Sequence, residues 1–514
     1  MNKCALCLIA VLLNTNFVTA AVTKDDPFYS VGTDFLILTP GNDDHGLMCF
    51  FNNTNIYVDI ENDGVWDYKY LYNATQDLGL SYSVSTLIKA GTRVRSDKPI
   101  VYNQNRNVIP DISRLSNEYY VYGDDIDSCN NCNCGYFTCG SSTPKYLTYY
   151  VVSPENIKVY VDLNNTGVDV LEVNVSKLQR SEIKVRDNDM VRIHSDKPFY
   201  LYNKYTAVGP EGQDFYTITS RVEKLVITQD NTVVQVDSNN DGNYDNTTTY
   251  NKGVYGYFDI NNGAHIHANK SIAVFYNWYF YAPRQDETGS DMWHRRNPQA
   301  RYVSQIGVFD NTSCSLDDVR GNDLTAEYTT SLTNGQEKTF QDIGINYANT
   351  DPYHIWCNQP SAEVGNNGEN ILAYSTIGLI QYSKQKYLGA NELTTMEVRL
   401  FNPFADTNIT NVSFSVPFPN SFALASNQVT IEKRWLRNDT LIENDTITVS
   451  ATTSGSNKVF GLNEGDSTLL SLLDPMQYYI VNYQLTTPSV LGTYTFDPVT
   501  FGYNAETWNM PEST

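Results

Sequence analysis

The chain predicts an all-β protein: tandem sandwich- or barrel-like domains grown from a triplicated unit, followed by an immunoglobulin-like β-sandwich. Three observations carry that prediction. A phrase is written three times, as TRVRSDKPIVYN at 92–103, VRIHSDKPFYLYN at 191–203 and HIHANKSIAVFYN at 265–277. Before each copy lies an Asp-rich loop: DIENDGVWD from Asp59, DLNNTGVDV from Asp162 and DSNNDGNYD from Asp237. From the first Asp to the last Asn the spacing is 44, 41 and 40 residues. Composition agrees, because 38 Tyr and only 7 Met, with abundant Thr and Val and little helical periodicity, suit pleated strands. Duplication of a module says that stacking or presenting it was useful, and it argues against a single catalytic pocket.

Taken in order, the chain opens with Lys3, an apolar run at 5–13 and the small residues Val18, Thr19, Ala20 and Ala21. That reads as a cleaved leader over 1–21, too short to span a bilayer. No later segment reaches eighteen uninterrupted apolar residues, so no transmembrane segment is expected. Residues 22–123 form the first β repeat. Alternation on both sides of Asn62-Asp63-Gly64 marks a hairpin, and Ser96-Asp97-Lys98-Pro99 reads as a turn between two further strands. A Cys-rich insertion at 124–143 precedes the second repeat at 144–219, and the third runs over 220–282. Residues 283–390 lose the signal and read as irregular or as a degenerate fourth repeat. Residues 391–514 show about seven short strands, the pattern of an immunoglobulin-like sandwich.

Charge and sequons bound the setting. With 35 basic and 58 acidic residues the formal charge is −23. Phosphate backbones are bound by basic patches, so no nucleic-acid partner is expected. Eleven Asn-x-Ser/Thr sequons spread along the chain favour a glycosylated, extracellular protein of the cell surface or envelope: Asn52, Asn73, Asn164, Asn174, Asn246, Asn269, Asn311, Asn408, Asn411, Asn438 and Asn444.

Two resemblances attach to these residues. The SDKP phrase with its Tyr-Asn strand resembles the repeated β unit of the IgGFc-binding-protein N-terminal family, which is found in secreted proteins and adhesins. The C-terminal part, through Phe401-Asn402-Pro403, NVSFSVPFP at 411–419 and GTYTFDPVTFGY at 492–503, is similar to immunoglobulin-like modules of prokaryotic surface proteins. In layout the whole resembles an archaeal or bacterial surface-layer or sheath glycoprotein, which implies self-assembly.

The Asp loops are the first candidates for chemistry. Oxygen ligands at alternate positions, with Gly for the turn, suit calcium: Asp59, Glu61, Asp63 and Asp67 in the first copy, Asp237, Asn239, Asp241 and Asp245 in the third. The second copy degrades the set with Thr166 and Val170. The competing reading is that Asn-Asp-Gly is hairpin-turn chemistry. Cys129, Cys132, Cys134 and Cys139 have a spacing that would suggest zinc inside a cell, but disulfides outside one. With Cys49, Cys314 and Cys357 they make seven after leader removal, so one thiol is left over or pairs between molecules. His265 and His267 share a strand face and could share a metal. They align with Arg93 and Arg95 and with Arg192 and His194, which makes a polar strand face the preferred reading. Trp293-His294-Arg295-Arg296 is a candidate contact patch on a loop.

No nucleophile elbow, His-Glu-x-x-His helix or phosphate-binding Gly loop is present, so no enzymatic activity is expected. The function this supports is a secreted, glycosylated structural protein of a surface layer or sheath whose partners are copies of itself, reinforced by calcium and disulfides. The alternative is an adhesin presenting repeat loops to a glycan or protein ligand.

Overall fold

The computed structural model is nearly all antiparallel β-sheet, as the composition and patterning predict. It describes residues 11–14 and 31–506 apart from several short stretches and the segments 74–88, 129–144, 282–288, 296–304, 318–327, 340–351 and 365–377. Two compact bodies are distinguished: residues 25–50 with 54–374, and residues 1–24, 51–53 and 375–514.

The first body contains four sheets of one plan. In the second copy a hairpin, Ile157–Leu163 with Asp169–Val175, pairs through its first strand with a long strand, Met190–Asn203. The far half of that long strand pairs with Lys145–Val152, which in turn pairs with Ser181–Arg186. A leading strand, Ser116–Tyr122, lies along the other edge of the long strand's first half. The third copy repeats this with the hairpin Thr232–Asp237 and Asn246–Tyr250, the long strand His265–Tyr276 and the leading strand Gly212–Tyr216. The first copy uses Thr54–Asp59, Tyr68–Tyr72, Arg93–Gln104 and Val31–Leu36. The same order is built beyond residue 282 from Thr312–Asp317, Tyr328–Leu332, Pro352–Val364 and Gly289–Arg295. Each leading strand precedes the segment where the spacing of the phrase placed its copy, so Ser116–Tyr122 belongs to the second sheet and Gly212–Tyr216 to the third.

The phrase itself is not a turn. Residues 96–99 sit inside the continuous strand Arg93–Gln104, and 195–198 inside Met190–Asn203. Opposite the leading strand the register jumps from Arg95 to Ile100, from His194 to Phe199 and from His267 to Ile272. Four residues are bulged out at the point where the long strand passes from the half paired with the hairpin to the half paired with the strands beyond it. Such a bend is how strands turn the corner between packed sheets. Pro99 and Pro198 are tolerated there because a bulged residue owes no N–H to that ladder. The jump from Trp356 to Ser361 exposes a fourth version of the phrase, Cys357-Asn358-Gln359-Pro360. Trp293 likewise lies on the strand Gly289–Arg295 rather than on a loop.

The copies share core rather than standing as beads. Val152, Tyr200 and Tyr202 of the second copy are buried with Phe35, Leu36, Ile56 and Val94 of the first. The Tyr202 hydroxyl donates to Leu38 O at 2.8 Å. Tyr120, Tyr122 and Met190 join Val226 and Phe275 of the third copy, and the Tyr122 and Phe275 rings meet edge-on at 4.9 Å. Burial of one such side chain stabilises by about 1.5–3 kcal/mol. Close approach also needs Gly91, at φ +88°, since an added Cβ would lie 1.8 Å from Lys177 O of the next copy.

The second body is a sandwich. One sheet runs Gly378–Ser383, Leu393–Asn402, Gln477–Thr486, Gln428–Trp435 and Leu441–Thr448. The other is built on Asn408–Pro419, flanked by Asn457–Leu462 and Thr500–Glu506. Their facing residues, among them Val398, Phe414, Val416, Ile431, Phe460 and Val481, form one core. Alternating burial along these strands is the period-2 pattern that directs one face inward. Val11–Asn14, within the expected leader, pairs with Tyr387–Leu388 and with Thr493–Thr495.

Candidate functional site

The Asp loops close on themselves. Asp59, Asp162 and Asp237 are 0%, 0% and 1% exposed. Asp59 Oδ1 accepts the Asp63 N–H at 3.1 Å. Asp162 takes the N–H groups of Thr166 and Gly167 at 2.7 and 2.8 Å. Asp237 takes those of Asp241 and Gly242 at 3.1 and 2.7 Å. Asp67 and Asp245 accept from Ile60 and Ser238, each at 2.7 Å. A loop that hides backbone N–H groups from water must supply them with acceptors, and these carboxylates do so. Glu61 instead pairs with Lys89 at 2.7 Å. Asp241 accepts from Asn239 Nδ2 at 3.0 Å and from the Asn243 N–H at 2.9 Å, bonds that hold its carboxyl below the usual range. The residues proposed for calcium are thus brought together, with oxygens already serving the loop. Among the described residues no group of three or more His, Cys, Asp or Glu side chains is arranged to hold a metal ion.

Each loop is also gripped by the following copy. Lys177 Nζ donates to Asn62 O at 3.1 Å and Lys252 Nζ donates to Asn165 O at 3.0 Å. In the fourth copy Asn334 Nδ2 donates to Asn239 O. The gripping residue occupies one position, the turn after the hairpin, and its own N–H is held by an Asx side chain. Asn156 serves Lys177 at 3.0 Å, Asp230 serves Lys252 at 2.9 Å and Asn311 serves Asn334 at 3.1 Å. Asn62 and Asn165, both at φ +48°, reach the other way, to Pro154 O at 3.1 Å and Thr228 O at 3.0 Å. Asn tolerates the left-handed region that this loop position requires.

A second recurring arrangement sits on the long strand. Its first Arg or His lies opposite the leading Asp of the loop: Arg93 to Asp59, Arg192 to Asp162, His265 to Asp237 and His354 to Asp317. An acid from the leading strand lies on the other side: Asp34, Glu118, Asp214 and Asp291. In the first copy Asp34 takes Arg93 at 2.6 Å and Arg95 at 2.9 Å, and the Arg95 and Asp34 side chains are 6% and 3% exposed. Burial and the adjacent Arg93 pull Arg95 down to about 9. In the second copy Arg192 reaches Glu118 at 2.7 Å, and that bond lowers the Glu118 carboxyl, while His194 turns to Asp169 at 2.9 Å. In the third copy His265 and His267 share Asp214 Oδ1 at 3.0 and 2.7 Å. Burial pushes Asp214 up, but the two histidines together hold it below its ordinary value. Both histidines therefore face one way, and they form part of a polar ladder running through the copies.

The cysteines divide. Cys314 and Cys357 form a disulfide at directly opposed strand positions. Those positions correspond to Ile56 with Ser96, Val159 with Ser195 and Val234 with Ala268 in the other copies. Cys49 is a buried thiol of the first copy. Cys129, Cys132, Cys134 and Cys139 lie outside the described residues. All eleven sequon asparagines lie within them, and Asn73, Asn164, Asn174, Asn246, Asn269, Asn311, Asn411 and Asn444 are exposed.

Sequence spacing missed the leading-strand acids. A signal exists in the dipeptides Asp34-Phe35, Glu118-Tyr119, Asp214-Phe215 and Asp291-Met292, an acid followed by a bulky apolar residue. Their distance to the phrase varies, so a fixed period does not find them.

No protein family and no curated protein matches the chain by sequence. Among solved structures, a protein of Corynebacterium diphtheriae provisionally described as membrane anchored aligns over 90% of this chain and 93% of its own, at 10% identity and TM-score 0.17. An elastase-activated Escherichia coli alpha-2-macroglobulin aligns over 92% of this chain and 53% of its own, at 8% identity and TM-score 0.14. Both scores lie below the level of a shared fold. No helix among the described residues is long and apolar enough to cross a membrane.

Proposed function

We propose that this is a secreted structural protein of a cell-surface layer or sheath that assembles with copies of itself. The observation that carries the reading is the repeated junction, in which the turn after each hairpin grips the Asp loop of the copy before it. The gripping position recurs at three junctions, as Lys177, Lys252 and Asn334, and each time it donates to the preceding loop's backbone, which supports a joining role. Support also comes from the acidic surface and from exposed sequons, which suit a solvated exterior. Calcium at the first and third Asp loops remains a proposal, with isothermal titration of Ca²⁺ into the metal-free protein as its direct test.

The experiment is electron microscopy of the purified full chain, concentrated with and without calcium, beside the native envelope. Ordered arrays or tubes are expected, dispersed by chelator or reductant. A protein that stays monomeric in calcium at high concentration, yet retains a glycan or protein on an array, overturns the structural reading in favour of an adhesin.

A further inference from the structure

Among the described residues the hairpin's second strand is the outer strand of its sheet in every copy, and Leu441–Thr448 is the outer strand of one sheet of the sandwich. An outer strand offers a row of N–H and C=O groups to any chain that can pair with it, and proteins protect such rows with charge, bulges or covering groups. Here sequons lie on or directly beside four of these five strands, Tyr328–Leu332 being the exception. Asn174 lies on Asp169–Val175, Asn246 opens Asn246–Tyr250, and Asn444 lies on Leu441–Thr448. Asn73 directly follows Tyr68–Tyr72. All four side chains are exposed. Beside them the strands carry apolar surface that would favour pairing: Leu71 is 61% exposed, Val170 44% and Leu441 45%.

We propose that N-linked glycans on Asn73, Asn174, Asn246 and Asn444 cover these open edges and block edge-to-edge pairing between copies. A glycan is bulky and hydrated, so an approaching strand would have to displace it before any backbone bond could form. Contacts between chains are then directed away from these four strands. This inference rests on the secreted reading above, because the glycan is added during export.

The test expresses the full chain with its leader in a glycosylating secretory host and maps glycans by peptide mass spectrometry. An edge variant, Asn73→Gln with Ser176→Ala, Thr248→Ala and Thr446→Ala, removes the four edge sequons. A control, Ser271→Ala with Ser413→Ala, removes the sequons at Asn269 and Asn411. Occupied edge sequons are expected, with a several-fold larger sedimenting, thioflavin-binding fraction for the edge variant than for the control. Enzymatic removal of glycans from the folded wild-type protein should reproduce that rise, which separates it from misfolding of the variant. Bare edge sequons beside occupied Asn269 or Asn411 overturn the proposal, as does an edge variant as dispersed as the control. A chain that keeps residues 1–21 and carries no glycan overturns both this inference and the secreted reading, whereas cleavage at that site with bare edges overturns this inference alone.

Discussion

The first and third copies place the same three positions around the same strand and fill them differently. In the first, two guanidinium groups share a nearly inaccessible Asp34. In the third, two imidazoles share Asp214, whose side chain is 31% exposed. The backbone register is common, so the difference lies in side-chain choice and burial. A buried charge must be matched, because its desolvation cost is several kcal/mol unless partners replace water. An open one is screened and contributes little. The duplicated scaffold tolerates guanidinium or imidazole at these positions, as long as the leading-strand Asp stays opposite them.

Asp34→Asn should break the comparison most severely. It leaves Arg93 and Arg95 without their shared carboxylate, and a loss of about 3–5 kcal/mol is expected in urea unfolding of the full chain. A loss no larger than that of Asp214→Asn would remove the distinction between the copies.

Lys177→Met and Lys252→Met come next, and they sharpen the contrast because the junctions are alike where the clusters differ. Each should cost roughly 1–2 kcal/mol, the scale of a part-buried bond from a charged donor. Hydrogen exchange should rise at the Asn62 loop for the first variant and at the Asn165 loop for the second. Unequal effects would mean that the junctions are not equivalent.

Asp214→Asn should cost less than about 1 kcal/mol at neutral pH. The smallest effect is the pH dependence of that difference. Asp214 is held below its ordinary 3.8 in the folded state, so its contribution is complete above that value and is lost as pH falls through the lower folded value. Melting temperatures of wild type and Asp214→Asn should therefore converge on acidification below 3.8. A gap that widens there would contradict the sign.

Much of the fold was legible. The Asn-Asp-Gly signal marked the hairpins correctly because the same residues satisfy both a tight turn and the backbone of the loop. The SDKP phrase misled because Ser, Asp, Lys and Pro are turn formers whose local preference is also met by a bulge. Whether the chain reverses or bends there depends on which strands lie alongside, and that is non-local information. The fourth copy was legible only as an irregular or degenerate stretch for a related reason: Cys357-Asn358-Gln359-Pro360 keeps the Pro but replaces the small residue of the other copies with half of a disulfide. The clamp was invisible because Lys177 and Asn62 are 115 residues apart. Nothing local to Lys177 marks it as different from a solvated lysine.

By itself the sequence determined the β class, the duplication, the loop chemistry and the acidic, sequon-bearing surface. All of these follow from local rules: period-2 alternation, turn residues and composition. Only the tertiary structure decided which leading strand serves which copy, that the copies share a core, and that an open edge lies beside Asn174, Asn246 and Asn444. The reason is that strand pairing is a relation between distant segments. Backbone hydrogen bonds carry no residue identity, so partner, edge and junction are settled when the sheets close and pack.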